Sequence, residues 1–477
     1  MNETFVESTE SRHPQWRYAS NATFQFPVSL LMSTLAVFLF FYYEAVVGLN
    51  VWYIFLAVTL WTIWDAVNDP LIAFLVDRNT KLTRRFGRRF PWIVIGIAPW
   101  CLCLYLVFSA PDVDASSDPW IVFWWLLISL ILFDLFGTLV QVNLGVLRPD
   151  LFRTEEERRQ MSKYFMPIDM VAIALALMIP PLFLGAGAGR DGFAFMGAMV
   201  AFIALIGGIL FLPGAKEDKV VIDRYFTGEY EKMSFFKGMK EVVKLKSFLV
   251  YFVFITAWVA STNLMMGNTI FLTIYVVRAS PDEVTILFAT MILGAFVSIP
   301  FWLWALKKMK NNKKLATIGG FLVSAAMVPI TFFQTMIDLL IILFILGFCL
   351  GSLWAFIYSI IGANVQDDYA AKTGKNQKAI LVGTSAFLGR LAATLDELII
   401  ATVHTLTGFK PGYDNYDDLA AAVGPNKIGM VIWGIRLLSG VIPAIILFIG
   451  TLVFWKYYPL TQDVVLKNKQ ELEKLGF

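Results

Sequence analysis

Long apolar runs alternate along this chain with short polar stretches, and the alternation repeats about twelve times. Each run is long enough to cross a hydrocarbon layer of about 30 Å as an α-helix. The pattern predicts spans at Phe26–Gly48, Val51–Val76, Pro91–Ala110, Trp120–Leu147, Phe165–Leu184 and Phe193–Leu212. A second set follows at Phe248–Val277, Glu283–Leu306, Leu315–Phe333, Leu339–Ala363, Ala379–Leu406 and Gly429–Trp455. Between the sets lies the polar segment "PGAKEDKVVIDRYFTGEYEKMSFFKGMKEVVKLK". The expected fold is therefore an all-α membrane protein of twelve transmembrane helices in two six-helix halves. Its segments are a tail at 1–25, a first bundle at 26–212, a central loop at 213–247, a second bundle at 248–457 and a tail at 458–477.

Composition agrees with the pattern. Of 477 residues 58% are hydrophobic and 16% charged, and mean hydropathy is +0.67, more apolar surface than one soluble core buries. The net charge of +3 says little, but its distribution orients the chain. "DRNTKLTRRFGRR", "RPDLFRTEEERRQ" and "KKMKNNKK" are basic, whereas "PDVDASSD" has no base. With both termini inside, every basic loop falls on the cytoplasmic face. The basic loops after the second and eighth spans also occupy matching places, as in transporters built from repeated six-helix halves with the substrate site between them. Cys101, Cys103 and Cys349 lie within predicted spans and read as small hydrophobes. His13 and His404 are the only histidines, which gives a zinc site little support.

The polar residues inside the spans carry the functional argument. In "WTIWDAVNDPLIAFLVDR", Asp65 and Asp69 are spaced i, i+4 on one helix face. If both were ionised, their repulsion would be on the order of 3 kcal/mol at an effective dielectric of about 20, besides the cost of burial in the bilayer. A bound Na⁺ neutralises both, and a proton neutralises one. A structural pairing with buried arginines, or a cap at the break expected at Pro70, is the other reading. Asp134 lies at the same depth on the fourth span, roughly 20 Å from its outer end, and shares a face with Thr138 and Gln141. Carboxylate, hydroxyl and amide oxygens suit a hard cation, and ordinary inter-helix hydrogen bonding suits them equally. In the second half the lone membrane-embedded cation is Arg390, which needs an anionic partner or a substrate group. Glu44 sits near the outer end of the first span, where reaching water is cheap, and reads as gate or interface. Trp61, Trp64, Trp354 and Tyr358 offer flat apolar surfaces to an amphipathic ligand, although with 15% aromatic residues most rings must serve packing.

The stretch "WDAVNDPLIAFLVDRNTKLTRRFGRRFPWIVIG" resembles the second-span signature of the glycoside–pentoside–hexuronide:cation symporters, the melibiose permease-like group of the major facilitator superfamily. "YYEAVVGL", "LRPDLFRTEEERRQ", "ANVQDDYAAKTGKNQKAI" and "GFKPGYDNY" extend the resemblance over most of the chain. It implies alternating access and symport coupled to Na⁺ or H⁺. It assigns Asp65 and Asp69 to cation coordination, with Thr138 contributing a hydroxyl; Gln141 and Asp134 join this expected cation site from the reading of the fourth span above. Arg390 falls where that group has a basic residue.

The sequence departs from the sugar-binding pattern at three places. Ser29 stands where sugar transporters carry a first-span acid, Gln141 replaces a fourth-span carboxylate, and a fifth-span arginine is replaced near Met166. Losing such charged, forked groups argues against a galactoside. Ser29, Trp61, Trp64, Gly145, Trp354, Tyr358 and Arg390 make up the expected substrate surface. Asp77, Arg78, Arg88 and Arg89 make up a cytoplasmic gate or, equally, a plain topology signal.

The expected function is secondary active symport of a sugar, glycoside or related small solute. Alternatives are an amphipathic substrate such as a lysophospholipid, an uncoupled uniporter, and a non-transporting membrane sensor. No phosphate-binding loop G-x-x-x-x-G-K-[ST] is present, so ATP-driven transport is not expected. The chain is expected to be a monomer in the plasma membrane, without enzymatic activity, cofactor or nucleic-acid partner, its ligands being a solute and a coupling cation.

Overall fold

The computed structural model describes residues 13–76, 86–185, 189–218, 222, 235–309, 311–356, 360–374 and 378–475, and every regular element among them is helical. Two compact units divide the chain, Met1–Tyr230 and Glu231–Phe477. Eleven described helical segments are long and apolar enough to cross a membrane. The remaining expected span, the eleventh in chain order, corresponds to the 30-residue helix Lys378–Thr407.

Unit 1 contains α1 (Gln15–Ala22), α2 (Gln25–Phe41), α3 (Val51–Val76), α4 (Phe90–Val107), α5 (Pro119–Leu151), α6 (Glu155–Leu182) and α7 (Gly189–Ala215). Proline in the first turn of α4 and of α5 fits a position whose N–H has no helical partner. Helix α6 begins well before the expected span at Phe165. Its start is a capping box, in which Glu157 N–H donates to Thr154 Oγ1 (3.1 Å) and Thr154 N–H to Glu157 Oε2 (3.2 Å). Hydropathy marks only the part of a helix that meets lipid.

The expected N-terminal tail is also folded where it is described. Helix α1 packs on α6 and α7. Arg17 is buried and places Nη1 2.8 Å from both carboxylate oxygens of Asp218, while Nη2 donates to the Lys216 carbonyl. Asn21 donates to the Gly214 carbonyl (3.2 Å) and accepts from Arg148 Nε (2.8 Å). At the other end of the unit the acid-only loop finds its base in Arg190, which bonds Asp112 (3.2 Å) and the carbonyls of Pro111, Val113 and Val47.

Unit 2 contains α8 (Phe235–Val243), α9 (Lys246–Gly267), α10 (Val284–Met309), α11 (Asn312–Met327), α12 (Met336–Phe356), α13 (Gly362–Thr373), α14 (Lys378–Thr407), α15 (Tyr416–Val423), α16 (Pro425–Ser439), α17 (Val441–Tyr457) and α18 (Gln462–Leu475). The last span is not one helix, because it breaks at Gly440 between α16 and α17. A Cβ there would fall 2.3 Å from Thr331 Oγ1, which accepts the N–H of Val441 (3.1 Å). Arg436, just before the break, donates to the carbonyls of Thr331 (3.0 Å) and Phe333 (2.8 Å). Arg390 is therefore not the lone cation in the spans of this half.

Both units carry a π-helical turn at the end of their first span, Tyr42–Val46 and Leu272–Val277. The first holds Glu44 at 1% exposure, so this carboxylate is buried in the bundle rather than reaching for water. Tyr43 in the same turn donates to the Val107 carbonyl (2.7 Å), and Tyr275 in the second donates to that of Tyr413 (2.5 Å).

In lipid, helices associate through close packing of small residues, since the surrounding tails are as apolar as any side chain. The contact of α10 with α12 shows how close this becomes: a Cβ on Gly347 would lie 1.9 Å from the Met291 carbonyl oxygen. Gly347→Val is expected to destabilise unit 2 by about 1–3 kcal/mol, as overpacking does. Thermal unfolding of the purified protein in detergent checks this, with Gly429→Ala as the control, because a Cβ at Gly429 meets nothing within 4 Å.

Candidate functional site

Helix α3 runs unbroken from Val51 to Val76, so the break expected at Pro70 does not form. Neighbouring helices re-satisfy backbone groups around intramembrane prolines. With the helix continuous, Trp61, Asp65 and Asp69 fall on one stripe at i, i+4, i+8, and Trp64, Asn68 and Ile72 on the next. Asp65 and Asp69 are both half-buried. Asn68, between them, is fully buried and donates from Nδ2 to Asp134 Oδ2 of α5 at 2.9 Å.

That bond joins the two helices that depth counting brings together. Toward the following end of α3 the seam closes with Ile72 and Val76 of α3 and Leu139 of α5, flanked by Trp92 and Leu135. Thr138, buried, and Gln141, half-buried, follow Asp134 along α5; among the described residues neither has a hydrogen bond to α3. A carboxylate of α5 thus holds the buried amide that stands between the two acids of α3 in sequence. Asn68 is the participant that sequence reasoning passes over. Its signal is a polar side chain in an apolar segment, three residues after one acid and one before the other.

The indole N–H groups of Trp61 and Trp64 are buried, with no hydrogen-bond acceptor among the described residues. Two oriented donors beside two carboxylates suit a ligand with its own acceptor oxygens. Ser29 on α2 is buried, and Gly145 on α5 is exposed, with open space where a Cβ would stand. Trp354 and Arg390 have helical backbone in α12 and α14, but their side chains lie outside the described residues, as do Tyr358, Asp77 and Arg78 altogether.

The expected gate residues Arg88 and Arg89 belong to a built anion cradle. The backbone N–H groups of Arg88, Arg89 and Phe90 point at the carboxylate of Glu217, at 3.0, 2.6 and 2.9 Å. These N–H groups open α4, where the helix dipole favours a negative charge. Gly87 holds φ +96°, and a Cβ there would meet the Glu217 carboxyl carbon at 2.4 Å. The Arg89 side chain bonds Asn143 Oδ1 of α5 (3.3 Å). The "GRR" of the motif thus serves its backbone as much as its charges, and its partner Glu217 carries no local signal in the sequence.

A family model described as MFS/sugar transport protein matches residues 20–462. The chain belongs to this family of the major facilitator superfamily. As a family member it is an integral membrane transporter rather than an enzyme. Among curated relatives, a "Sodium-dependent lysophosphatidylcholine symporter 1-B" of Danio rerio is 25% identical over 94% of this chain and 87% of that protein. A sphingosine-1-phosphate transporter of Xenopus tropicalis is 22% identical over 88% of this chain and 83% of its own length. Among solved structures, a nucleoside transporter shares the fold with a TM-score of 0.54 at 12% identity, covering 93% of this chain and 99% of that one.

Removing the Glu217 carboxylate leaves three backbone donors of a buried helix end without their acceptor. Glu217→Ala is expected to lower stability by about 1–3 kcal/mol, and Gly87→Ala to act in the same direction through strain and collision. Thermal unfolding in detergent reads both, with Glu217→Gln losing less because it keeps an acceptor oxygen.

Proposed function

We propose that this transporter is a Na⁺-coupled symporter of an amphipathic solute with a single acyl or alkyl chain and a polar headgroup, of the lysophospholipid class. The observation that carries the proposal is the acidic stripe of α3, Asp65 and Asp69, with Asn68 bonded to Asp134 on the neighbouring helix. Such a cluster is costly in a bilayer unless a cation neutralises it. Asp65 and Asp69 are read as the cation ligands, with Asp134, Thr138 and Gln141 supplying further oxygens from α5. Na⁺ is preferred over H⁺ because the curated relatives that match nearly the whole chain are named sodium-dependent.

The same relatives favour the amphipathic alternative over a sugar or glycoside. Local chemistry points the same way, since Ser29 and Gln141 lack the charge needed to grip sugar hydroxyls and Met166 is an exposed apolar side chain. The melibiose permease-like motif then reflects shared architecture and the shared cation pair rather than a shared substrate. Trp61 and Trp64 would present indole N–H donors to a headgroup, with Ser29, Gly145, Trp354, Tyr358 and Arg390 completing the surface. Arg390 is suited to an anionic headgroup oxygen. Asp77, Arg78, Arg88 and Arg89 are read as the inner gate, the last two anchored by their backbone to Glu217. Positive loop charge favours a cytoplasmic side for both tails, 1–25 and 458–477, and for the central loop 213–247, and the protein is read as a plasma-membrane monomer. The two bundles, 26–212 and 248–457, alternate access by exploiting ligand affinities that differ between inward and outward states.

Proteoliposome uptake tests this reading. An inward Na⁺ gradient is expected to drive accumulation of labelled lysophosphatidylcholine, and Asp65→Asn or Asp69→Asn to remove the Na⁺ stimulation by about 5- to 150-fold, the range of a coupling free energy of about 1–3 kcal/mol. Accumulation of labelled sugars or glycosides instead would restore the sugar reading. Lipid uptake indifferent to Na⁺ in the wild type would remove the coupling role of the pair.

A further inference from the structure

Asp396 and Glu397 lie within α14 and have no part in the function proposed above. Asp396 is 5% exposed, and neither of its carboxylate oxygens has a hydrogen-bond partner among the described residues. Glu397 Oε2, beside it, is buried in the same condition. A buried polar group of this kind is rare in a folded protein and calls for an occupant.

Among the described residues no counter-charge bonds Asp396. Helix α14 packs against α8, α9, α13 and α16. The ionisable groups described on these helices are Lys240 and Glu241 of α8, Lys246 and Tyr251 of α9, Asp367, Asp368, Tyr369 and Lys372 of α13, and Lys427 and Arg436 of α16. Several are committed elsewhere: Arg436 to the carbonyls of Thr331 and Phe333, and Asp368 to Lys372, Ser247 and Asn468. Tyr369 donates to Glu241. None of these groups hydrogen-bonds Asp396. On α14 itself, Arg390, whose side chain lies outside the described residues, precedes Asp396 by six residues, about 9 Å along the axis. His404, two turns beyond Asp396, stacks on Phe409 and meets the edge of Phe271.

An ionised carboxylate left in such a place costs several kcal/mol, and it neutralises instead. A metal cation is a poor neutraliser here, because hard cations need several oxygens around them. Helix α14 is continuous, so its carbonyls near Asp396 are engaged in the helix, and the Glu397 side chain leaves the axis about 100° away. A proton needs only one oxygen.

We propose that Asp396 is a proton-binding site of unit 2, occupied at neutral pH and chemically independent of the Asp65/Asp69 cation pair.

Infrared difference spectroscopy of the full-length protein in lipid at neutral pH tests the proposal. Subtracting Asp396→Asn from wild type is expected to reveal the carbonyl stretch of a protonated carboxyl, lost in the variant and the same with or without Na⁺. Asp396→Glu is expected to keep such a band at a shifted position, which serves as the second reading if Asp396→Asn folds poorly. Asp65→Asn is expected to leave the band in place. Ionised carboxylate bands in the difference, or a signal that follows Na⁺, would overturn the proposal, the latter by making Asp396 a cation ligand.

Discussion

A polar or charged group buried in the protein must find a partner, and most of unit 1 is arranged around that requirement. Apolar faces alone do not choose among neighbouring helices, because lipid satisfies them equally well. The polar contacts do choose. Asn68 selects Asp134 and so fixes α3 against α5. Glu217, carried past the end of α7, closes on the first turn of α4. Arg17 of α1 closes on Asp218 next to it, and Arg148 of α5 reaches back to Asn21. These bonds connect residues far apart in sequence, so each removes many alternative packings at once.

How much of this is legible beforehand depends on whether the signal is local. The twelve spans are, because a run of apolar residues announces itself. The acidic pair is legible from its i, i+4 spacing, and Asp134 from its depth on the fourth span. The start of α6 is not, since hydropathy is blind to a Thr154–Glu157 capping box that lengthens a helix beyond the membrane. The break at Gly440 depends on Thr331, more than a hundred residues earlier, and nothing near Gly440 in the sequence foretells it. Glu44 illustrates a different difficulty, because its position along the span is readable while the π-helical turn that buries it is not. Glu217 is the clearest case: an acid in a polar stretch, set apart only by the donors that meet it from 127 to 129 residues away.

The two units share a device at the close of their first span. A π-helical turn widens the helix at Tyr42–Val46 and again at Leu272–Val277, and in each a tyrosine hydroxyl is held by a distant carbonyl. Such turns cluster at functional places because they let a side chain leave the helix at an angle the α-form does not allow. The halves otherwise differ in how they hold charge. Unit 1 concentrates it on α3 and α5, whereas unit 2 carries it on α14 and in the Arg436 clasp.

The docking of α1 has a consequence for biosynthesis. Arg17 and its partner Asp218 are separated by 201 positions. At a synthesis rate of about 5–20 residues per second, the first helix therefore waits roughly 10–40 s for the residue that receives it. During that interval its buried face must be borne by the membrane surface or by the insertion machinery. The first bundle consequently reaches completion only as its sixth span emerges, so α1 settles long after it is made.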